Sequence, residues 1–214
     1  MDLIKKTWDD ITITDYKKIV EISKRELDST LEKDIAVLAV LCGVDETEIY
    51  NSPLPELQLL LAKSEWIKEP FTFNRNFNTK KIKLDGITYA VEPDLDKFTV
   101  AQYLDFQNFW DKRNEHIGNL LAVFIVPSGH SYNEGYDVIA LARKLEDSLS
   151  IRFYNEVCFF FLLNYLNSIR ASIVYSIYMT KKTIRKTKDK EQKKILKEKE
   201  RELMKSLKEL LRIG

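Results

Sequence analysis

The side chains that most often carry out chemistry are scarce in this sequence. It has two histidines, His116 and His130, and two cysteines, Cys42 and Cys158. The histidines do not have the four-residue spacing that places two metal ligands on one face of a helix. Both cysteines lie in apolar stretches, which is typical of small buried side chains rather than of reactive thiols. The sequence therefore predicts no catalytic residue, no metal site and no cofactor.

One glycine-containing segment has some features of an anion-binding loop. Residues 127–136 read PSGHSYNEGY. A phosphate-binding loop lies between a strand and the N-terminus of a helix, and it continues into Lys followed by Ser or Thr. No such dipeptide follows Gly135, and we interpret the residues before the segment as a helix. We therefore expect a connection between two helices here.

Composition and charge indicate what kind of chain must position these residues. Of the 214 residues, 44% are hydrophobic and 31% are charged, which excludes intrinsic disorder and supports one domain or two small ones. Residues 181–214 contain 14 Lys or Arg and six Asp or Glu, a net charge of +8, whereas residues 1–180 have a net charge of −7. An acidic body with a basic tail is suited to binding other macromolecules.

Two helix starts share one pattern. In residues 10–19 (DITITDYKKI) and in residues 97–106 (KFTVAQYLDF), a Thr N-cap is followed three residues later by Asp15 or Gln102. This is the arrangement of a capping box, in which the cap oxygen binds a free N–H group of the first turn. An apolar residue before each cap and a Tyr four residues after it predict a hydrophobic staple as well.

The similarity continues beyond the two caps. An apolar run follows each start, at residues 35–41 and 120–126, and each run ends at Gly or Pro. We predict a mainly α fold with an N-terminal helical lobe over residues 1–70 and a second helical lobe over residues 97–179. Internal duplication and convergence of capped helices both account for the pattern.

A β-hairpin is predicted in the segment that joins the lobes, residues 71–96. Residues 80–84 and 87–91 alternate apolar and polar side chains around Asp85-Gly86. Asp-Gly supplies the two positive φ angles of a type I′ turn. Phe71, Phe73 and Phe77 are candidates for a short additional strand.

The C-terminal third is helical in pattern. Residues 157–179 contain a single charge, Arg170, and the segment is long enough to span a bilayer. Because Arg170 and several Asn and Ser residues would lie in mid-span, we expect a central core helix wrapped by other helices, and no membrane. Residues 180–213 contain neither Pro nor Gly, so a basic C-terminal helix over 180–214 could continue this helix from about Ser150 to the end.

Two sets of residues in this tail are candidates for binding. The first is a stripe of leucines at helical spacing, which would dock on a partner or on the body: Leu196, Leu203, Leu207, Leu210 and Leu211. The second is a basic cluster that could contact nucleic acid, although a solvated helix face is the commoner explanation of such a charge run: Lys181, Lys182, Arg185, Lys186, Lys188, Lys190, Lys193 and Lys194.

Three segments carry a resemblance to a known class of proteins. Residues 8–16 (WDDITITDY), residues 39–44 (AVLCGV) and residues 54–61 (LPELQLLL) resemble small helical proteins of tailed bacteriophages. Some of those act as tail-assembly chaperones or baseplate assembly factors, and others are minor virion components. The resemblance covers residues 8–170. It implies a binding role in phage assembly, with other phage structural or assembly proteins as partners.

The sequence thus predicts a non-catalytic interaction protein of phage particle assembly or structure, with self-association as one form of binding. A nucleic-acid-binding adaptor that uses the basic tail is the alternative. No signal peptide is recognised at the start of the chain, and the cysteine usage suits a reducing compartment. We expect the protein in the host cytoplasm during assembly, or in the virion.

Overall fold

The computed structural model describes residues 5–26, 29–69, 77–113 and 115–212. Helices dominate, which confirms the mainly α prediction. Their bounds are α1 Ile13–Lys24, α2 Thr30–Cys42, α3 Glu46–Tyr50, α4 Leu54–Ser64, α5 Val100–Trp110, α6 Ile117–Phe124, α7 Val138–Ser148, α8 Ile151–Lys186 and α9 Lys190–Arg212. Two short 3₁₀ turns cover Glu65–Lys68 and Leu95–Lys97.

Both predicted helix starts are confirmed. The Thr12 side chain accepts a hydrogen bond from the N–H of Asp15 and caps α1. At α5, Thr99 and Gln102 form a full capping box, in which each side chain accepts a hydrogen bond from the other residue's backbone N–H. The Phe98 ring, which was predicted to contact Tyr103, packs on the rings of Phe106 and Phe124.

The predicted hairpin is also confirmed. Strands β1 (Lys81–Leu84) and β2 (Ile87–Val91) pair antiparallel. Asp85 and Gly86 have φ angles of 48° and 82°, as a type I′ turn requires. Phe77 is buried but is not part of a strand, and Phe71 and Phe73 lie outside the described residues.

A third strand comes from a segment that we interpreted as helix. The apolar run at 120–126 divides into the end of α6 and strand β3 (Ile125–Pro127), which pairs antiparallel with β2. Ile125 and Val126 are β-branched and precede a proline, and both features favour extended backbone. An apolar run of this length cannot by itself distinguish a buried strand from a buried helix.

The chain divides into two compact units, unit 1 (Met1–Phe159) and unit 2 (Phe160–Gly214). In unit 1, α6 packs against α5 and α7, and α1 packs against α2 and α7. The start of α1 and the start of α8 are joined, because Ile13 N–H donates to the Leu149 carbonyl and Ile151 N–H donates to the Ile11 carbonyl. Ile11 and Ile13 are fully buried at this junction.

The single C-terminal helix expected from about Ser150 to the end is interrupted. Residues 187–189 separate α8 from α9, and the Asp189 carboxylate accepts hydrogen bonds from the N–H groups of Glu191 (2.8 Å) and Gln192 (3.4 Å). Asp is a strong N-cap because its oxygen satisfies N–H groups that have no partner within the helix. A new helix therefore starts without any Pro or Gly. Unit 2 consists of the last part of α8 and of α9.

Candidate protein-interaction surface

A pocket of about 360 Å³ lies beside the loop that resembles an anion-binding segment. Its walls come from β2, from the loop between β3 and α7, and from α7 itself. The polar side chains that line it are Tyr89, His130, Tyr136, Asp137 and Lys144. These are the side chains of the pocket that could form hydrogen bonds or exchange protons.

Several of these groups already have partners within the chain. Lys144 Nζ lies 3.0 Å from an Asp85 carboxylate oxygen and 5.7 Å from the centre of the Tyr89 ring. The hydrogen bond to Asp85 raises the pKa of Lys144, so the amine is held as a cation. His130 Nδ1 lies 3.2 Å from the Glu134 carbonyl oxygen. Lys144 and His130 of this pocket are thus paired with other groups of the same chain.

The loop itself does lie between a strand and a helix, which corrects our interpretation of the preceding residues as helix. The first turn of α7 nevertheless has little to offer an anion. The Asp137 carboxylate accepts hydrogen bonds from Ile139 N–H (2.8 Å) and Ala140 N–H (3.1 Å). Those N–H groups are the ones that would bind a phosphate, and the Asp137 carboxylate already occupies the place of that phosphate.

The remaining histidine and the two cysteines lie in or next to three different helices, α6, α2 and α8. His116 lies at the start of α6, with its ring 5.4 Å from the Phe109 ring. Cys42 is buried, and burial raises the pKa of Cys158 to about 12, which keeps it in the unreactive thiol form. Within the described ranges, no group of three or more His, Cys, Asp or Glu side chains could hold a metal ion.

The leucine stripe of α9 is half-buried rather than free. Over residues 190–209, the positions with reduced exposure are Leu196, Glu200, Leu203 and Leu207. They are spaced four, three and four residues apart, as in one seam of a coiled coil. Glu200 on this seam forms an ion pair with Lys181 of α8 at 3.6 Å, which places α8 along the seam. The side chains of Leu210 and Leu211 lie outside the described residues.

The predicted basic cluster is exposed along its whole length. It divides into four residues at the end of α8, one in the connection and three at the start of α9: Lys181, Lys182, Arg185, Lys186, Lys188, Lys190, Lys193 and Lys194. The basic surface continues along α9, where Lys197, Arg201, Lys205 and Lys208 line a groove of about 550 Å³ together with Met204 and Glu200.

The sequence analysis missed an exposed apolar surface on α8. We call it the outer face; its residues, spaced as one side of a helix, are Ala171, Val174, Tyr175, Tyr178 and Met179. The exposed fractions are 52% for Val174, 63% for Tyr175 and 59% for Tyr178. Lys182 and Arg185 lie four and seven residues beyond Tyr178, so the basic end of α8 continues the same face.

This exposure contradicts the expectation of a core helix wrapped by other helices. By length and composition α8 could cross a bilayer: it contains an 18-residue window of mean hydropathy 1.5, of which 17% is buried. Its first turns in unit 1 bury Ile151, Tyr154 and Val157. Between residues 160 and 186 the buried side chains are Phe161, Ile177 and Thr180. Only one side of the helix has neighbours there, so the apolar residues on the other side remain exposed.

Comparison with known proteins gives no relative. No family model matches the chain, and no curated protein or solved structure is significantly similar to it.

Proposed function

We propose that this chain works by binding other proteins, without catalysis, in the assembly or structure of a phage particle. The observation that carries the binding role is the outer face of α8, which exposes two tyrosines, a valine and a methionine beside a basic helix end. Contiguous exposed apolar surface of this kind marks interaction sites in soluble proteins. Tyr, Met and Arg are also enriched where proteins meet.

The phage context of this proposal comes from the resemblance of residues 8–170 to small helical phage proteins. Two roles are compatible with it. A chaperone would hold an apolar helical partner on the outer face and leave before the particle is finished. A virion component would stay, with unit 2 packed between subunits. In both roles the protein is present in the host cytoplasm during assembly.

The experiment is to replace the gene, in a phage that encodes this chain, with a Tyr175→Glu/Tyr178→Glu variant. We expect fewer complete particles, because two carboxylates cannot be buried cheaply in an apolar interface. Tyr50→Glu is the matched control, since Tyr50 is an exposed tyrosine of unit 1 (54%). Normal particle yield from the outer-face variant would contradict the proposal. The amount of chain in purified particles then separates a chaperone from a virion component.

Nucleic-acid binding through the basic tail is the second candidate. The observation that favours it is the position of Tyr175 and Tyr178 beside Lys182 and Arg185, because aromatic rings next to cations can stack with bases. Binding of a fluorescent 20-nucleotide single-stranded DNA or RNA would then weaken steeply with salt. It would also weaken in Lys182→Ala/Arg185→Ala, and not in a Lys33→Ala/Lys63→Ala control from unit 1. Binding that is equal in both variants would exclude this site.

A further inference from the structure

The charged side chains of α9 are sorted by sign onto different sides of the helix. Cations recur at intervals of three and four residues over residues 190–208, which keeps them on one side of an α-helix. We call this side the basic stripe; its residues are Lys190, Lys194, Lys197, Arg201, Lys205 and Lys208. All six side chains are exposed, and together they extend over about 27 Å of the helix axis.

The charge of the basic stripe is not neutralised by neighbouring carboxylates. Among the described residues, none of its six cations forms an ion pair, whereas Lys181 and Glu200 do form one outside the stripe. Four glutamates of α9 lie on the adjoining side of the helix: Glu191, Glu198, Glu202 and Glu209. Unit 2 as a whole has 15 Lys or Arg and six Asp or Glu, a net charge of +9. The partner that this surface attracts is therefore an anion.

The composition of the basic stripe distinguishes between classes of anionic partner. A stable protein interface has an apolar centre, and a helix that binds a membrane surface inserts an apolar face. Among the described residues that line the groove along the stripe, Met204 is the one apolar side chain. A row of cations without an apolar centre instead matches a row of phosphates, because a nucleic-acid backbone is bound mainly through its charge.

The same side chains favour a duplex over a single strand. Proteins that prefer single strands supply aromatic rings on which unpaired bases stack, and residues 190–212 contain no Phe, Tyr or Trp. Duplex DNA also carries one phosphate charge per about 1.7 Å of its axis, twice the density of one strand. Over the length of the stripe, a duplex therefore supplies more phosphates than there are cations to bind them.

The glutamates of α9 exclude its insertion into a groove of DNA. A helix in the major groove has a phosphate backbone on each of its two sides. One of these sides would present Glu198 and Glu202, which adjoin the basic stripe, to the phosphates. The helix can thus follow one backbone from outside the grooves. Such a contact reaches no base edges and does not depend on base sequence.

We propose that the basic stripe of α9 binds the phosphate backbone of double-stranded DNA, from outside the grooves and independently of base sequence. This site differs from the second candidate above, in which Tyr175 and Tyr178 of α8 stack with unpaired bases. It also makes no use of the outer face of α8, so the inference does not depend on the assembly role proposed above.

The salt dependence of DNA binding by the full-length chain tests the proposal. A fluorescent duplex of about 24 base pairs is titrated with the chain between about 50 and 200 mM NaCl, and binding is followed by anisotropy. With six phosphate contacts, the logarithm of the binding constant should fall against the logarithm of the salt concentration with a slope of about −5. A duplex of the same composition and scrambled sequence should bind within about twofold of the first.

Matched variants locate the contact on α9. Lys197→Gln/Lys205→Gln removes two cations of the stripe, so it should weaken binding at least tenfold at about 100 mM salt and reduce the slope by about 2. Lys63→Gln/Lys199→Gln removes the same charge from unit 1 and from the opposite side of α9, and should bind like the unaltered chain. Circular dichroism confirms that both variants retain their helices. Equal losses in the two variants, or no binding of either duplex at about 50 mM salt, would overturn the proposal.

Other ligands give distinct results. Single-stranded DNA that binds at least tenfold more tightly than the duplex, with binding lost in Tyr175→Ala/Tyr178→Ala and kept in Lys197→Gln/Lys205→Gln, would overturn the proposal and favour the site on α8. Duplex RNA that binds at least tenfold more tightly than duplex DNA would also overturn it. Flotation with vesicles of phosphatidylcholine and phosphatidylserine, without binding of DNA, would overturn it in favour of a membrane.

Failure of this proposal and failure of the assembly role are distinguishable. Absence of DNA binding together with a reduced particle yield from Tyr175→Glu/Tyr178→Glu would overturn the DNA site alone. Duplex binding that depends on Lys197 and Lys205, together with a normal particle yield from the outer-face variant, would support the DNA site and contradict the assembly role.

Discussion

Two helices of similar apolar character, α6 and the part of α8 in unit 2, differ sharply in how many of their side chains are buried. In α6, seven of the eight residues are buried: Ile117, Gly118, Leu120, Leu121, Ala122, Val123 and Phe124. In the nine residues 171–179 of α8, Ile177 is the buried one. The first helix has packed neighbours on several sides, α5, α7 and the sheet among them. The second lies in a two-helix unit. An apolar sequence makes burial of a helix favourable, but the number of elements packed around the helix determines how many of its side chains are buried.

The net charges of the two units show the same contrast. Unit 1 has 19 Lys or Arg and 27 Asp or Glu, a net charge of −8. Unit 2 has 15 and six, a net charge of +9. Among the described residues, the acidic unit contains all the buried apolar side chains except Phe161 and Ile177, and the basic unit contains the outer face of α8. A surface that is apolar and basic at once is suited to a contact in which an apolar centre is surrounded by charges.

The largest change in the free energy of unfolding is expected from a cavity in the core of unit 1. Phe124→Ala in unit 1 should lower the free energy of unfolding by about 3–5 kcal/mol, because it leaves a cavity among packed rings. Tyr178→Ala in unit 2 should change the unfolding of unit 1 by less than about 0.5 kcal/mol. Urea unfolding at low protein concentration, followed by near-ultraviolet circular dichroism, measures both. Equal losses in the two variants would show that the outer face belongs to the same core.

A smaller effect is expected at the buried amide that joins α5 to α6. The Gln102 carbonyl accepts a hydrogen bond from Thr99 N–H at 3.0 Å, and its amide donates to the Val123 carbonyl at 3.0 Å. Gln102→Ala removes both bonds and leaves a buried acceptor without its partner, at a cost of about 2 kcal/mol. Gln107→Ala on the exposed side of α5 is the matched control and should cost less than about 0.5 kcal/mol. A loss in Gln102→Ala no larger than the control's would contradict this assignment.

At the start of α9 in unit 2 we expect a loss of helix stability of about 1 kcal/mol when the N-cap is removed. Asp189→Ala removes the cap of α9, and such caps contribute about 1 kcal/mol. Hydrogen exchange at residues 190–196 should quicken about fivefold, while exchange in α1 and α5 stays unchanged. Asp189→Asn retains the acceptor and should restore most of the protection. If exchange in Asp189→Ala matched that of the unaltered chain, the break between α8 and α9 would have another cause.

The smallest effect depends on pH and concerns the cap of α1. Burial alone would raise the pKa of Asp15, but hydrogen bonds from Lys5 and Thr12 outweigh it and hold the pKa below its ordinary value of 3.8. The ionised carboxylate therefore stabilises the fold above about pH 4, and this contribution is lost as the pH falls through the lowered pKa. Asp15→Asn should cost less than about 1 kcal/mol at pH 7 and progressively less below pH 4. A difference that is constant from pH 7 to pH 2.5 would contradict the assignment.

Local signals were sufficient for much of unit 1. Thr12, Thr99 and the Asp85-Gly86 turn are recognisable because each interaction lies within a few residues of sequence. Strand β3 was missed because Ile125 and Val126 become a strand only through pairing with β2, more than 30 residues earlier in the chain. The break before α9 did have a local signal, since Asp189 and Gln192 have capping-box spacing.

The interaction surface was harder to predict, for a physical reason. The leucines of α9 and the tyrosines of α8 have the same helical periodicity, and periodicity does not say which of two amphipathic faces meets the other. The structure places Leu203 and Leu207 on the half-buried seam and leaves Tyr175 and Tyr178 exposed. A partner-binding role for the α9 leucines remains a prediction, while the outer face of α8 is the stronger candidate.

The accessibility of position 178 during phage assembly tests the central claim most directly. A thiol introduced by Tyr178→Cys is labelled with a maleimide in the purified chain and in a lysate of cells that are assembling the phage, beside the same thiol introduced by Tyr50→Cys. We predict that labelling at position 178, relative to labelling at position 50, is at least fivefold slower in the lysate, because a partner covers the outer face there. An equal ratio of the two rates in both samples would contradict the account.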